Sequence, residues 1–272
     1  MKRVSNRFAS SETWTTSIAV VAILIAVSAA THPAGAQQPL ETETARLPHH
    51  GALVLSGTYE FQTSAQGTEH ALPFAAEYGL TDRLALLMEP VVVTAIRAES
   101  PPNATGIGDV EVTLQYLMRP EGHLLPALAL AAEEKFPTAT SRQIGTGRPD
   151  FTRYLIASKR FGRFDVHANV GYSFMGKPTG LPVQNTLNLA LAMESQITSR
   201  VSLLAEALST TAAALAGEGE SSVTAPEIAG AEQVGMVGLR YRSGRHNWLS
   251  LGITYDNTQA VLFRPGVTLE FP

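Results

Sequence analysis

The residues of this chain with chemistry to offer are few and scattered. His49 and His50 stand side by side. Neighbouring side chains of an extended chain point to opposite faces. Neither cysteine nor an acidic cluster accompanies the pair, so they make a poor ligand set and no metal site is assigned. His167 has better company, because Asp165 and Ser173 share its parity and hence its face of an extended segment. A nucleophile, a base and an orienting acid within hydrogen-bond reach would make a hydrolytic centre, with His167 as base. The spacing sets no distance among them, and no catalytic residue is assigned. Gly145-Thr146-Gly147 lacks the following Lys and the strand–helix setting of a phosphate loop and reads as a plain loop. No cofactor is implied.

The larger chemical set is a series of charges on the polar faces of alternating segments. The acids are Glu60, Glu77, Glu89, Asp109, Glu111, Asp165, Glu194, Glu206, Asp256 and Glu270. The bases are Arg153, Arg240, Arg242 and Arg264, with His167 beside them. Such charges either line a path that selects solutes, as rings of side chains do in pores, or pair across an interior and fill it.

What must position them is a set of short strands with period-2 alternation. In Phe164–Phe174 the residues Phe164, Val166, Ala168, Val170, Tyr172 and Phe174 fall on one face. Asp165, His167, Asn169, Gly171 and Ser173 fall on the other. An apolar face with aromatic ends, backed by a small and polar face, is what a membrane barrel presents to lipid and to its lumen. The pattern predicts twelve strands over 51–62, 70–79, 84–94, 107–118, 123–136, 150–160, 163–174, 185–196, 199–210, 232–242, 246–257 and 262–271. The run Leu124–Ala132 is almost uniformly apolar, Leu203–Leu215 is rich in Ala and Leu, and both would also suit buried helices. Tight connections such as Phe161-Gly162 and Ile197-Thr198 alternate with longer ones such as 95–106, 137–149 and 211–231. Short periplasmic turns against longer outer loops are the signature of outer-membrane barrels. Closure follows from physics, since lipid leaves no water to satisfy an open sheet edge.

The chain start fits export. Lys2, Arg3 and Arg7 precede the apolar run Ile18–Ala30, and Ala34-Gly35-Ala36 supplies a small-residue cleavage site. Residues 1–36 therefore read as a secretory signal peptide, 37–50 as a periplasmic N-terminal lead and 51–272 as an outer-membrane β-barrel. With no cysteine among 272 residues, an exported chain must take its stability from a closed fold rather than disulfides. The formal charge is -4, and losing Lys2, Arg3, Arg7 and Glu12 makes it -6. That balance argues against nucleic acid as a partner.

Four stretches resemble the barrels grouped as the MetA-pathway of phenol degradation family. They are Gly79-Leu-Thr-Asp-Arg-Leu-Ala-Leu86, Gly106–Tyr116, Leu128-Ala-Leu-Ala-Ala-Glu-Glu-Lys-Phe-Pro-Thr138 and Gly145-Thr-Gly-Arg-Pro-Asp150. The likeness spans most of 50–271. It implies an outer-membrane β-barrel passing small, often aromatic or hydrophobic, solutes. The chain departs from outer-membrane barrels at its end, where Pro272 follows the aromatic Phe271. The expectation is an all-β, antiparallel transmembrane barrel in the bacterial outer membrane. It acts as a channel or transporter, and its partners are outer-membrane lipids, a small-molecule solute and the barrel-assembly machinery. Two other readings stay open, a lipid- or ester-hydrolysing barrel enzyme and a plugged structural barrel.

Overall fold

The structure is a computed structural model and describes residues 38, 40–99, 102–178, 183–213 and 231–272. The signal segment 1–36 lies outside the described residues. The described residues form fourteen β-segments: β1 (Leu53–Thr58), β2 (Glu60–Ser64), β3 (Gly67–Thr81), β4 (Leu84–Ala98), β5 (Ala104–Gly106), β6 (Val110–Arg119), β7 (Ala127–Phe136), β8 (Asp150–Phe161), β9 (Phe164–Phe174), β10 (Thr186–Gln196), β11 (Val201–Thr210), β12 (Glu232–Arg242), β13 (Asn247–Asp256) and β14 (Val261–Phe271). Two pairs are halves of single strands. β1 and β2 both pair with β3 and β14 and are parted at Tyr59. β5 and β6 both pair with β4 and are parted at residues 107–109. Each strand runs antiparallel to the next, and Leu53 opposite Phe271 closes the ring, giving a twelve-strand barrel. Both ends of the barrel chain and the tight turns share one rim, the turn rim. The longer connections share the other, the loop rim.

Register decides which side chains face lipid. On β9, Val170, Tyr172 and Phe174 are exposed, while Asp165, His167, Asn169 and Ser173 are buried. Pairing carries that division around the ring. Leu155 and Leu189 flank Val170 outside, and Ala192 and Ser158 flank His167 inside. The outer face is apolar and has aromatics near both rims. Tyr78, Tyr116, Phe161 and Tyr241 lie towards the turn rim; Phe136, Phe174 and Tyr255 lie towards the loop rim. Pairing corrects one candidate. Arg153 faces outward, opposite Ala132 and Tyr172, with its guanidinium 3.5 Å from the centre of the Phe151 ring. Its neighbours Thr152 and Tyr154 take the inward positions. Three residues from the strand's outer end, Arg153 lays its stem on an aromatic and keeps its charge at the membrane edge.

Ala127–Ala132 of the first run and Leu203–Thr210 of the second lie in strands, β7 and β11. β7 starts at Ala127, four residues later than predicted, because Leu124 and Leu125 sit exposed in the turn. The run alternates by size, not polarity. Leu128 and Leu130 face out, while Ala127, Ala129 and Ala131 face in and pack against Ile156 and Ala45.

Ala45 belongs to the segment predicted as a periplasmic lead, and here the prediction is corrected. Residues 40–46 run inside the barrel. Thr42, Thr44 and Ala45 are almost wholly buried against inward-facing side chains. The chain enters at the turn rim, where Gly51 N donates to Gly79 O and Gly79 N to Ala52 O. A Cβ on Gly79 would stand 2.2 Å from His49 O, so only glycine lets the incoming chain cross β3 here.

Candidate functional site

The lumen and the strap that crosses it form the candidate site. The strap is fastened along the arc of the wall from β6 to β12, and by Arg264 on β14. Glu206 on β11 does most of the holding, since its Oε2 accepts from Glu41 N at 3.1 Å, Thr42 N at 3.0 Å and Thr42 Oγ1 at 2.8 Å. Ser158 Oγ accepts from Ala45 N at 2.8 Å, and Gln115 Nε2 donates to Thr44 O at 2.6 Å. Asn169, its amide turned to suit its neighbours, exchanges two hydrogen bonds with the backbone of Glu43. At the turn rim Arg46 clasps Asp165 at 2.7 Å and Glu121 at 2.8 Å, and Arg160 completes the group 2.9 Å from Asp165.

The hydrolytic grouping takes an unexpected form. Ser158, not Ser173, meets His167, with Oγ 2.8 Å from Nδ1, and His167 Nε2 lies 3.7 Å from Asp165 Oδ1. Ser173 instead bonds Thr152 and Asn188. Ser158 was not a sequence candidate, because it lies on β8 and only pairing brings it beside His167. Its side chain is fully buried beneath the strap, and its oxygen is taken by Ala45. In this arrangement the three groups hold the strap.

The arc formed by β12, β13 and β14 is charge-balanced. Arg240 pairs with Glu194 at 2.6 Å and donates to Gln38 O. Arg264 pairs with Glu60 and with Glu41 of the strap. Leu40 rests over the facing glycines Gly238 and Gly252, where added Cβ atoms would lie 3.0 and 3.3 Å from its methyls. Asp256 caps the β13–β14 turn, accepting from Thr258 and Ala260. Asp109 accepts from Ala139 N at 2.8 Å and lies 3.8 Å from Lys135.

The remaining arc, β3 through β7, is acidic. Glu89 on β4 lies directly opposite Glu111 on β6. Glu77, Glu133 and the strap's Glu43 all fall within electrostatic reach of Glu89. Between the strap and the wall of β1, β3, β4, β13 and β14 a cavity of about 80 Å³ stays open. Glu77, Leu87, Val54 and Ser56 line one side; Leu40, Trp248, Arg240 and Arg264 line the other. The candidate charges therefore divide. Asp165, Glu194, Glu206, Arg240, Arg264 and Glu60 pair with the strap or with one another, while Glu77 and Glu89 lie on an acidic surface beside Glu111, which stands between Glu89 and Lys135. Sequence reading missed Glu43, Arg46, Glu121, Glu133 and Trp248. Glu133 and Trp248 show correct alternation in their strands, but the strap has no alternation to read.

The strap's docking should depend on pH through Glu43. Burial pushes its carboxyl from 4.5 up to about 7, a hydrogen bond from Gln38 opposes this, and Glu111 adds to it. Glu77, Glu89 and Glu133 face it from the wall, and the Asn169 amide faces it from β9. An acid raised in the docked state holds its proton there. Docking is thus strongest below pH 4.5 and weakens as pH rises to about 7. Glu121 behaves oppositely. Burial pushes it up, but hydrogen bonds from Arg160 N, Arg46 and Lys159 outweigh that and hold it below its usual range, so the clasp fails only in acid. Protease access to the strap should rise from pH 5 to pH 8, and Glu43→Gln should flatten the rise. Greater access at pH 5 than at pH 8 would contradict this linkage.

No protein-family model matches the chain, and no curated relative matches it in sequence. Solved barrels match its fold. An outer membrane channel from Pseudomonas putida F1 superposes with TM-score 0.62 at 15% identity, over 89% of this chain and 100% of that one. The NanC porin gives 0.56 at 11% identity, over 79% and 98%. The KdgM porin in complex with disordered oligogalacturonate gives 0.52 at 12% identity, over 80% and 99%. At these identities the likeness is one of fold: a closed, antiparallel membrane barrel.

Proposed function

We propose that this chain is a bacterial outer-membrane channel that passes small solutes by diffusion through the gap beside its strap. The observation that carries this reading is the cavity between the strap and the β1–β3–β4 wall, inside a barrel whose outer face is apolar. The turn rim then faces the periplasm and the loop rim faces outward. The fold likeness to porins and channels supports the reading, as does the sequence resemblance to the MetA-pathway barrels. Aromatic or hydrophobic solutes suit a gap flanked by Leu40, Val54, Leu87 and Trp248. Planar-bilayer recording from the mature protein tests it, with discrete conductance steps as the expected result. Silence across ion types and voltages would favour the plugged barrel, a reading the strap itself motivates.

Export through the signal segment is part of the same proposal. Mass spectrometry of outer-membrane material should find Gln37 as the first residue, following the Ala34-Gly35-Ala36 site. Retention of Met1 in that material would count against it.

A further inference from the structure

The acidic arc poses a problem of charge. Like charges directly opposite on neighbouring strands destabilise a sheet, yet Glu89 and Glu111 are so placed. Removing charge from water without a partner is costly, and Glu77 and Glu89 have no hydrogen-bond or ion-pair partner among the described residues. Lys135, cross-strand from Glu111, also offsets Glu133, yet this one ammonium sits 2.5 Å from Asp150 and 3.8 Å from Asp109 as well. The wall holds more negative charge than its own cations answer.

A second observation points to what is missing. Thr113 faces inward from β6, in register with Leu87 and Glu133, and is 2% exposed. Its Oγ1 is buried and has no hydrogen-bond partner. Buried hydroxyls are almost always satisfied. An N–H donor set among these carboxylates would satisfy Thr113 and neutralise the wall together. The adjacent cavity has an apolar side beside polar lining that includes Arg240 and Arg264, each already paired with a carboxylate. Glu77 belongs both to the acidic group and to the cavity, where Leu87, Val54, Leu40 and Trp248 are its companions. A ligand spanning the two carries positive charge at one end and an apolar body at the other.

We propose that the solute favoured by this channel is a small organic cation with an apolar body, of the arylalkylammonium kind, held at Glu77, Glu89 and Thr113. The inference rests on the channel reading and names its solute class. The ammonium engages the carboxylates and donates to Thr113 Oγ1, and the ring lies in the gap against Leu87 and Trp248. Stacking of a cation's ring or charge on the indole face adds selectivity, and fixed negative charge concentrates cations in a narrow lumen.

Reversal potentials in planar bilayers decide it, using the mature protein with 2-phenylethylammonium chloride and sodium phenylacetate gradients. The wild type should pass phenylethylammonium several-fold better than phenylacetate. In Glu77→Gln/Glu89→Gln the ratio should fall several-fold, whereas Glu270→Gln, a charge change elsewhere on the lumen face, should leave it unchanged. Potassium current in the wild type should also be blocked by phenylethylammonium at concentrations where neutral 2-phenylethanol has no effect, a comparison that needs no variant. A conducting wild type with a ratio of one or below, or with equal block by amine and alcohol, overturns the solute assignment and leaves the channel intact. So does a folded double variant that keeps the wild-type ratio. Absence of any conductance overturns the channel reading and this inference with it.

Discussion

Val170→Arg should destabilise the barrel by roughly 2–4 kcal/mol, the cost of a cation on the lipid face near the bilayer midplane. Val170 lies seventh of eleven residues on β9, between Leu155 and Leu189, and is 49% exposed on the outer face. An arginine there must either sit in hydrocarbon or snorkel over half the bilayer. The comparison is Ser250→Arg. Ser250 faces inward and lines the open cavity opposite Arg240, whose charge Glu194 already answers, so the same cation would meet the polar lumen and not hydrocarbon. It should cost much less stability while narrowing the gap and lowering current. Urea unfolding in lipid vesicles, followed by the gel shift on heating, measures both. Equal costs at the two sites, or a greater cost at Ser250, would mean that the inner and outer faces have been exchanged.

That the faces were legible from sequence reflects the physics of the barrel wall. Each strand is one residue thick between lipid and lumen, so alternation writes the side of every residue directly, as from Phe164 to Phe174. Turn chemistry then set the boundaries to within a few residues. Legibility failed where alternation carried other information. In β7 the inward positions are alanines because Ala45 needs the room, so the run looked uniformly apolar. Arg153 was given the wrong side because charge was read as polarity, while its stem and an aromatic neighbour suit the membrane edge. The grouping of Ser158 with His167 needs the β8–β9 register, which joins residues nine apart through a turn. The strap was the largest loss. A short polar segment ahead of the first strand reads as solvated chain, and its burial shows only in the partners that wait for it: Glu206, Asn169 and the glycines under Leu40.

Glu206→Leu should unfasten that strap and raise conductance several-fold while leaving the barrel folded. The carboxylate accepts three hydrogen bonds from Glu41 and Thr42, and Thr42 is fully buried. Leucine accepts none. Each donor then left buried and unpaired costs about 1–3 kcal/mol, so the strap can meet its needs only by leaving the lumen for water. The barrel does not depend on it, since every wall strand pairs with two wall neighbours. Eight strands enclose space that side chains fill, and sixteen enclose an aqueous channel. Twelve stand between, so whether this lumen conducts freely turns on what else occupies it. Deleting residues 38–46 should raise conductance at least as far. Combining the deletion with Glu206→Leu should add nothing, because both act through one contact. Arg46→Ala should have a smaller effect, since Arg160 still pairs with Asp165 and Lys159 with Glu121. Protease added on the turn-rim side should cut the strap in the Glu206→Leu protein faster than in the wild type. Faster cutting with unchanged conductance would show that the strap does not set the width of the path, and that the constriction lies in the wall itself, at the acidic arc or the loop rim.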